Sequence, residues 1–318
     1  MAPAAVPPNL PAGPGVYYWK TSLNIPAEEY ALAREYGFTQ LYLRLADVDW
    51  RYQSGHIDWR GKLTIPERTP APPLPVTPVV YLLNDVLRRH PDPEQLGKDL
   101  GRFIADYTAA HSAIDWVSRW QIDCDWTPGT RAAYFTVLRT LRAEHPGITL
   151  SATIRLHQYR ERTENGVPPV DEGLLMCYNL TPVNDFQTPN SIFQLSLLKG
   201  YLKAPPYPLP LDAALPVFEW GAAFRDGVLQ GIVAPPDSLG GSLMPVGPGR
   251  YLVQEEVVDG ETYLRPGDDV RYDGPESRAV MEQAAALLRA RPEVRDLHLF
   301  DWSPAGWQKF APRGTPEN

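Results

Sequence analysis

The feature that most constrains this chain is an alternation. Short runs rich in β-branched and aromatic residues recur along it, and most are followed by a stretch with helical spacing. Strands that alternate with helices predict parallel pairing through helical crossovers. Strands are expected at 16–19, 40–46, 76–83, 117–125, 149–156, 173–178, 215–220 and 296–302. Helices are expected at 26–36, 93–111, 130–144, 191–201 and 276–290, the first opened by Pro26 and closed by Gly37. Eight strands in this order predict an α/β chain folded as a single TIM-like (β/α)8 barrel. An open doubly wound sheet is the alternative, but no Gly-rich nucleotide loop follows any strand.

A barrel of this kind needs about 250 residues, and the chain has 318. The surplus has a place. Residues 251–258, then Asp259-Gly260, then 261–264 read as a β-hairpin closed by an Asp-Gly turn. They sit in an insertion at about 224–275, before the last helix. The expected organisation is a Pro/Ala-rich tether over 1–14, a barrel domain over 15–312 and a C-terminal tail over 313–318. The 35 prolines gather in connections at 66–78, 205–210 and 235–248, where a missing backbone donor costs little.

Charge and composition exclude several partners. A net charge of −8 with no Lys/Arg-rich run argues against nucleic acid, which is bound through a basic face. No apolar stretch approaches the roughly 20 residues that span a bilayer. The opening residues lack the basic and apolar segments of a secretory signal; they suit either a chain whose export signal was trimmed or a native cytosolic start. An extracytoplasmic location, in the periplasm or at the cell surface, is the leading expectation, with a lipid anchor in a longer precursor left open and a cytoplasmic location as the alternative. Cys124 and Cys177 are the two cysteines, each inside an expected strand, which excludes a disulfide framework. A monomer without cofactor is expected.

Active sites of such barrels lie at the carboxyl ends of the strands, and here those ends are unusual. Trp19, Trp50, Trp126, Trp220 and Trp302 fall at or just past them. A single tryptophan there usually packs under a loop, but five together suit the C–H faces of sugar rings, with the indole N–H free for a hydroxyl. The same rim carries Asp47, Asp49, Asp85, Asp123, Asp125, Glu219 and Asp301. Alternation puts Asp123 and Asp125 on one face and Ile122 and Cys124 on the other, so the two acids are expected to point into the barrel. Buried acids need pairing, hydrogen bonds or a proton. They form either a structural network with Arg44 or Arg155, or the acid/base pair of glycosidic bond cleavage. His157 and Arg155 are expected to line the cleft. The six histidines show no metal-ligand spacing, and no Gly-x-Ser-x-Gly occurs, so neither a metal site nor a serine triad is expected.

Arg119-Trp-Gln-Ile-Asp-Cys-Asp-Trp126 resembles strand four of the chitinase-like glycoside hydrolases of family 18, whose signature is Asp-x-x-Asp-x-Asp-x-Glu with an aromatic before the Glu. Met176-Cys-Tyr-Asn179 is similar to their strand-six Met-x-Tyr-Asp/Asn, Trp302 to their strand-eight tryptophan, and Val16-Tyr-Tyr-Trp19 to their first strand. The resemblance implies that Tyr178 and Asn179 help to orient a sugar. It also implies a departure. With Trp126 aligned on the aromatic, Thr127 stands where the acid Glu belongs. With the register slid by two, Gln121, Asp123 and Asp125 replace Asp, Asp and Glu. Gln121-x-Asp123-x-Asp125, Pro169-Val-Asp-Glu172 and Leu264-Arg-Pro-Gly-Asp268-x-Val-Arg271 further resemble a bacterial family of glycosidase-like barrel domains of unknown function, whose members are often exported or lipid-anchored.

The leading expectation is thus a glycoside hydrolase acting on a polysaccharide or glycoconjugate, with Asp125 as general acid, Asp123 tuning it and Glu219 as nucleophile or base. The alternative is a catalytically inactive barrel that binds glycan in the cell envelope.

Overall fold

The computed structural model describes residues 10–89 and 92–312. Strands β1 (Gly15–Tyr18), β2 (Gln40–Arg51), β3 (His56–Arg60), β4 (Val76–Leu82), β5 (Arg119–Asp123), β6 (Thr149–Arg155), β7 (Glu172–Met176) and β8 (Leu211–Pro216) are followed by seven short strands and β16 (Val294–Phe300). Eight of them are parallel neighbours in the closed order β1-β2-β4-β5-β6-β7-β8-β16, and β1 pairs with both β2 and β16. This is the expected (β/α)8 barrel. The crossovers carry α1 (Ala27–Glu35), α2 (Asn84–Arg89), α3 (Pro93–Ala110), α4 (Arg131–Glu144), α5 (Leu156–Arg160), α6 (Arg162–Asn165), α7 (Leu195–Tyr201) and α8 (Arg278–Arg289), and α9 (Pro304–Phe310) follows the last strand.

Local sequence explains the elements. Residues 40–46 of β2 are buried throughout, with the apolar Leu41, Leu43 and Leu45 alternating with the polar Gln40, Tyr42 and Arg44, as in a barrel strand covered on both faces. Helix α3 starts where Asp92 accepts hydrogen bonds from the backbone N–H groups of Glu94 and Gln95, 3.0 Å each, with Pro93 at its first position. Its buried Leu96, Leu100 and Ile104 recur at helical spacing. Gly97 lets α4 come close, since a Cβ there would sit 2.8 Å from Thr140 Cβ and 2.9 Å from the Val137 carbonyl. Between β2 and β4 there is no helix: β2 runs on past the barrel and turns back antiparallel as β3, and the proline-rich 61–75 returns the chain to β4.

Two compact units are distinguished by their internal contacts. One holds the described residues up to Met176 with Tyr201–Ala214 and Leu288–Pro304; the other holds Cys177–Gly200, Leu215–Leu287 and the described residues from Ala305. The second unit contains an antiparallel sheet ordered β10-β9-β15-β12-β11, from β9 (Trp220–Arg225), β10 (Val228–Val233), β11 (Leu243–Gly247), β12 (Arg250–Val253) and β15 (Asp269–Asp273). Ala223, Val233, Leu243, Val253, Leu264 and Val270 form its core.

The expected hairpin is present as β13 (Val257–Asp259) and β14 (Thr262–Leu264), but shifted. Asp259 pairs with Thr262, so Gly260 and Glu261 make the turn, with Gly260 at φ 58°. Residues 250–253 pair instead with β11 and β15. The expected strand 215–220 is also corrected. The ladder runs Leu174 to Asp212 through Met176 to Ala214, Pro216 ends it, and Trp220 opens the next sheet. The first nine residues of the expected tether and the tail 313–318 lie outside the described residues. From Ala12 the chain is tied down: Thr39 Oγ1 donates to the Ala12 carbonyl at 2.8 Å, and Gly13 N–H donates to Asp296 at 3.0 Å.

Alternation also builds a polar floor at the amino ends of the barrel strands, which sequence reasoning missed. The Arg119 guanidinium lies 2.6 Å from Glu172, and Arg295 lies 2.8 Å from Glu172 and 3.0 Å from Asp212. His298 accepts the Gly15 N–H at Nδ1, 2.8 Å away, so its Nε2 carries the hydrogen beside Asp212 at 3.4 Å and Tyr42 at 3.2 Å. Two guanidinium and two carboxylate groups balance there.

Candidate active site

The candidate site is assembled by strand register. Asp47 on β2 lies opposite Tyr81 on β4, and Tyr81 opposite Asp123 on β5. On β6, Ser151, Thr153 and Arg155 share a face by alternation. Asp123 is 7% exposed, and Thr153 Oγ1 donates to its Oδ1 at 2.6 Å. Burial and the neighbouring Asp125 raise the Asp123 carboxyl to about 7, against the opposing effects of the Thr153 hydrogen bond and Arg155. This group holds a proton near neutrality because its charged form is desolvated beside another acid. Beneath it, Tyr17 donates to Gln121 Oε1 at 2.8 Å, and Gln121 donates to Ser151 Oγ at 3.1 Å.

Asp125 lies two residues past the end of β5, with its side chain 40% exposed. Arg155 Nη1 lies 3.1 Å from each of its oxygens. Both backbones are set by Gln158, a buried side chain that accepts the Arg155 N–H at 2.8 Å and donates to the Trp126 carbonyl at 2.8 Å. Thr127 N–H donates to Thr130 Oγ1 at 2.9 Å, and the two hydroxyls lie 3.2 Å apart.

Around this pair the rim is less acidic than composition suggests. Arg44 pairs with Asp47 at 2.6 Å, Arg60 with Asp49 at 2.7 Å and Arg89 with Asp85 at 2.8 Å. The Arg44 guanidinium also lies 5.9 Å from the Trp19 ring, which packs on Phe300 at 5.5 Å and Tyr81 at 6.5 Å. Asp301 follows β16, and burial raises its carboxyl above the usual range.

The tryptophan lining needs correction. Trp126 is 0% exposed, stacks on Tyr134 with centroids 5.2 Å apart and donates to the Asn165 carbonyl at 2.9 Å. It belongs with Ile122 and Cys124 on the helix-facing side, the face that alternation assigns to it. Trp302 is 2% exposed, donates to Glu29 at 2.6 Å and meets the ring of Tyr30 edge-on. Trp50 is buried as well. Burying such large rings is strongly favourable, so these three fill space between layers, leaving Trp19 partly exposed at the mouth.

No protein-family model matches the chain, and no curated protein matches it in sequence. Solved structures do share its architecture. The Bacillus cereus spore cortex-lytic enzyme SleL is similar over 93% of this chain and 73% of its own, at 14% identity and a TM-score of 0.55. Chitinase ChiA74 from Bacillus thuringiensis is similar over 92% of this chain and 66% of its own, at 9% identity and a TM-score of 0.51. The fold is that of a chitinase-like barrel. At these identities the likeness concerns fold alone.

Four other expected site residues belong to the second unit. Glu219 follows β8 rather than lying on it; it accepts from Tyr272 at 2.7 Å and from Lys309 Nζ at 2.8 Å to both oxygens. Trp220 opens β9, donates to Asp273 at 3.3 Å and packs on Phe218. Tyr178 is buried with its ring edge-on to Phe218, and Asn179 is left-handed at φ 51°. The Leu264–Arg271 motif is structural there: Arg225 grips Asp268 at 2.7 Å, and Arg271 holds the buried Asp273 through two nitrogens at 2.7 Å each. Of the expected residues, Asp123, Asp125 and Arg155 come together, and His157 is exposed on α5 nearby in sequence. Thr153 and Tyr81 were missed, though their same-face spacing from Arg155 and their strand positions were available as signals. Gln158, next to His157 in sequence, is buried and ties two strand ends.

Proposed function

We propose that the barrel binds a polysaccharide or glycoconjugate at its mouth and cleaves a glycosidic bond, with Asp125 as proton donor and Asp123 as the buried carboxyl that resupplies it. The observation that carries this reading is Asp123, a carboxyl held protonated near neutrality next to a second, more exposed carboxyl. Two interacting acids titrate as a pair, and general acids work best with a pKa near the working pH. Arg155 keeps the Asp125 oxygens in place until a sugar hydroxyl competes for them. Asp123 then passes its proton to Asp125, Asp125 protonates the leaving oxygen as the glycosidic bond breaks, and water adds its oxygen to the anomeric carbon and returns a proton to the pair. Glu219, salt-bridged to Lys309, is assigned no chemical step. A location outside the cytoplasm, where such polymers are displayed, is part of this proposal.

Thr127 favours a second reading. In the register that aligns Trp126 with the signature's aromatic, Thr127 stands where the acid belongs and its hydroxyl lies 3.2 Å from that of Thr130, which suits a barrel that binds glycan without cleaving it.

The test incubates wild type, Asp125→Asn and Glu219→Gln with N-acetylglucosamine oligomers and peptidoglycan glycan strands, following products by mass spectrometry and binding by calorimetry. Cleavage lost in Asp125→Asn and kept in Glu219→Gln is the expected result. Binding by wild type without product selects the second reading. Absence of any binding overturns both.

A further inference from the structure

The β2–β3 hairpin continues beyond the barrel, and its turn carries Tyr52, 64% exposed. Single exposed aromatics are common and ordinarily mean nothing. This one is fixed in place. Its hydroxyl donates to Asp85 Oδ2 at 2.6 Å, the Arg89 guanidinium lies 4.6 Å from the ring centroid, and Arg89 Nε closes the triangle on Asp85 at 2.8 Å. The turn itself is closed by the N–H groups of Ser54 and Gly55 on the Arg51 carbonyl, at 3.3 and 2.9 Å, and Gly55 takes the left-handed φ of 69° that the turn requires. One side of the ring is thus backed by a cation and its edge is tethered, while most of the residue stays open to solvent.

Such a ring is a prepared stacking surface. An aromatic held rigid before binding loses little conformational freedom on contact, and its face suits the C–H face of a sugar. The carboxylate of Asp85 beside it can accept a sugar hydroxyl. Its position gives it meaning. Asp47 shares the register row of Tyr81 and Asp123, and Tyr52 lies five residues further along the same strand direction, about 17 Å at strand rise.

We infer that Tyr52 is a distal subsite for a long glycan, one that occupies the Asp123–Asp125 mouth and extends along β2 until a sugar several rings away stacks on this tyrosine. The inference rests on the proposed glycan reading and narrows its substrate class to extended chains rather than small sugars. Asp85 and Arg89 act as positioning residues for the ring.

Calorimetry with sulfur-linked N-acetylglucosamine oligomers, which resist hydrolysis, tests it on the full chain. A disaccharide and a hexasaccharide are titrated into wild type, Tyr52→Ala and Tyr52→Phe. Tyr52→Ala should weaken hexasaccharide binding about tenfold, which corresponds to about 1.4 kcal/mol, and leave disaccharide binding unchanged. Tyr52→Phe, which keeps the ring and loses the Asp85 tether, should fall between. Equal hexasaccharide affinity in wild type and Tyr52→Ala overturns the subsite, as does an equal loss for both oligomers. Wild type that binds neither oligomer overturns the glycan reading itself, and the subsite with it.

Discussion

Thr153 Oγ1 donates to Asp123 Oδ1 across 2.6 Å inside the barrel, and that bond, together with Arg155, opposes burial in deciding whether Asp123 carries a charge. Thr153→Val removes it without changing the shape of the side chain much, so Asp123 should titrate above its present value of about 7. Carboxyl chemical shifts followed by NMR against pH check the direction; a downward move or no change would contradict the assignment.

The same raised value predicts a pH slope in stability. The unfolded chain releases this proton near pH 4 and the folded one near 7, so the folded state binds more protons in between. Stability from this group is complete below about pH 4 and is lost as pH rises through 7. Asp123→Asn mimics the protonated form and should flatten that slope, leaving the variant more stable than wild type at pH 8 by urea unfolding.

The floor of the barrel should respond in the opposite sense. Burial would raise Asp212, but the hydrogen bond from His298 and the Arg295 guanidinium bring it to about 2. Its contribution is present above about pH 4 and lost as pH falls towards 2. Arg119→Met leaves Glu172 with one guanidinium fewer inside the barrel and should cost about 3 to 5 kcal/mol. Thermal unfolding at neutral pH measures it, and a cost under about 1 kcal/mol would show that the pair is replaceable.

Gln158→Leu should separate stability from binding. It leaves the Arg155 N–H and the Trp126 carbonyl unmatched in a buried place, at about 1 to 3 kcal/mol. It also releases the two strand ends that hold Asp125 and Arg155, so glycan affinity should drop even where the fold survives. Unchanged affinity in a folded variant would mean that the loops hold themselves.

Trp126→Ala and Trp19→Ala form a contrasting pair. Removing the buried Trp126 ring should cost about 3 to 5 kcal/mol, with binding changed only through loss of fold. Trp19→Ala should leave unfolding within about 1 to 2 kcal/mol of wild type and weaken glycan binding at the mouth. The reverse pattern would restore Trp126 to the site.

The strand order was legible because most elements satisfy their own local rule: alternating leucines in β2, a Pro start and an Asp cap at α3, helical spacing along α8, whose buried Met281, Ala284, Ala285 and Leu288 recur on one face. The strand at Leu211–Pro216 was misplaced by four residues because Ala-rich LDAALP has weak strand propensity and the aromatic run after it a strong one. Pairing with β7 overrode that preference.

Alternation by itself gave Asp123 and Asp125 a common face, since a strand's period does not depend on its neighbours. The same rule assigns Trp126 to the other face, but its place at a strand end reads as cleft lining. That Asp123 is raised towards neutrality was decided by tertiary structure alone. Thr153 reaches Asp123 and Arg155 reaches Asp125 from the neighbouring strand, and solvent is excluded by residues distant in sequence. Charge state depends on that three-dimensional sum of desolvation and neighbouring charges, and no spacing along one strand contains it.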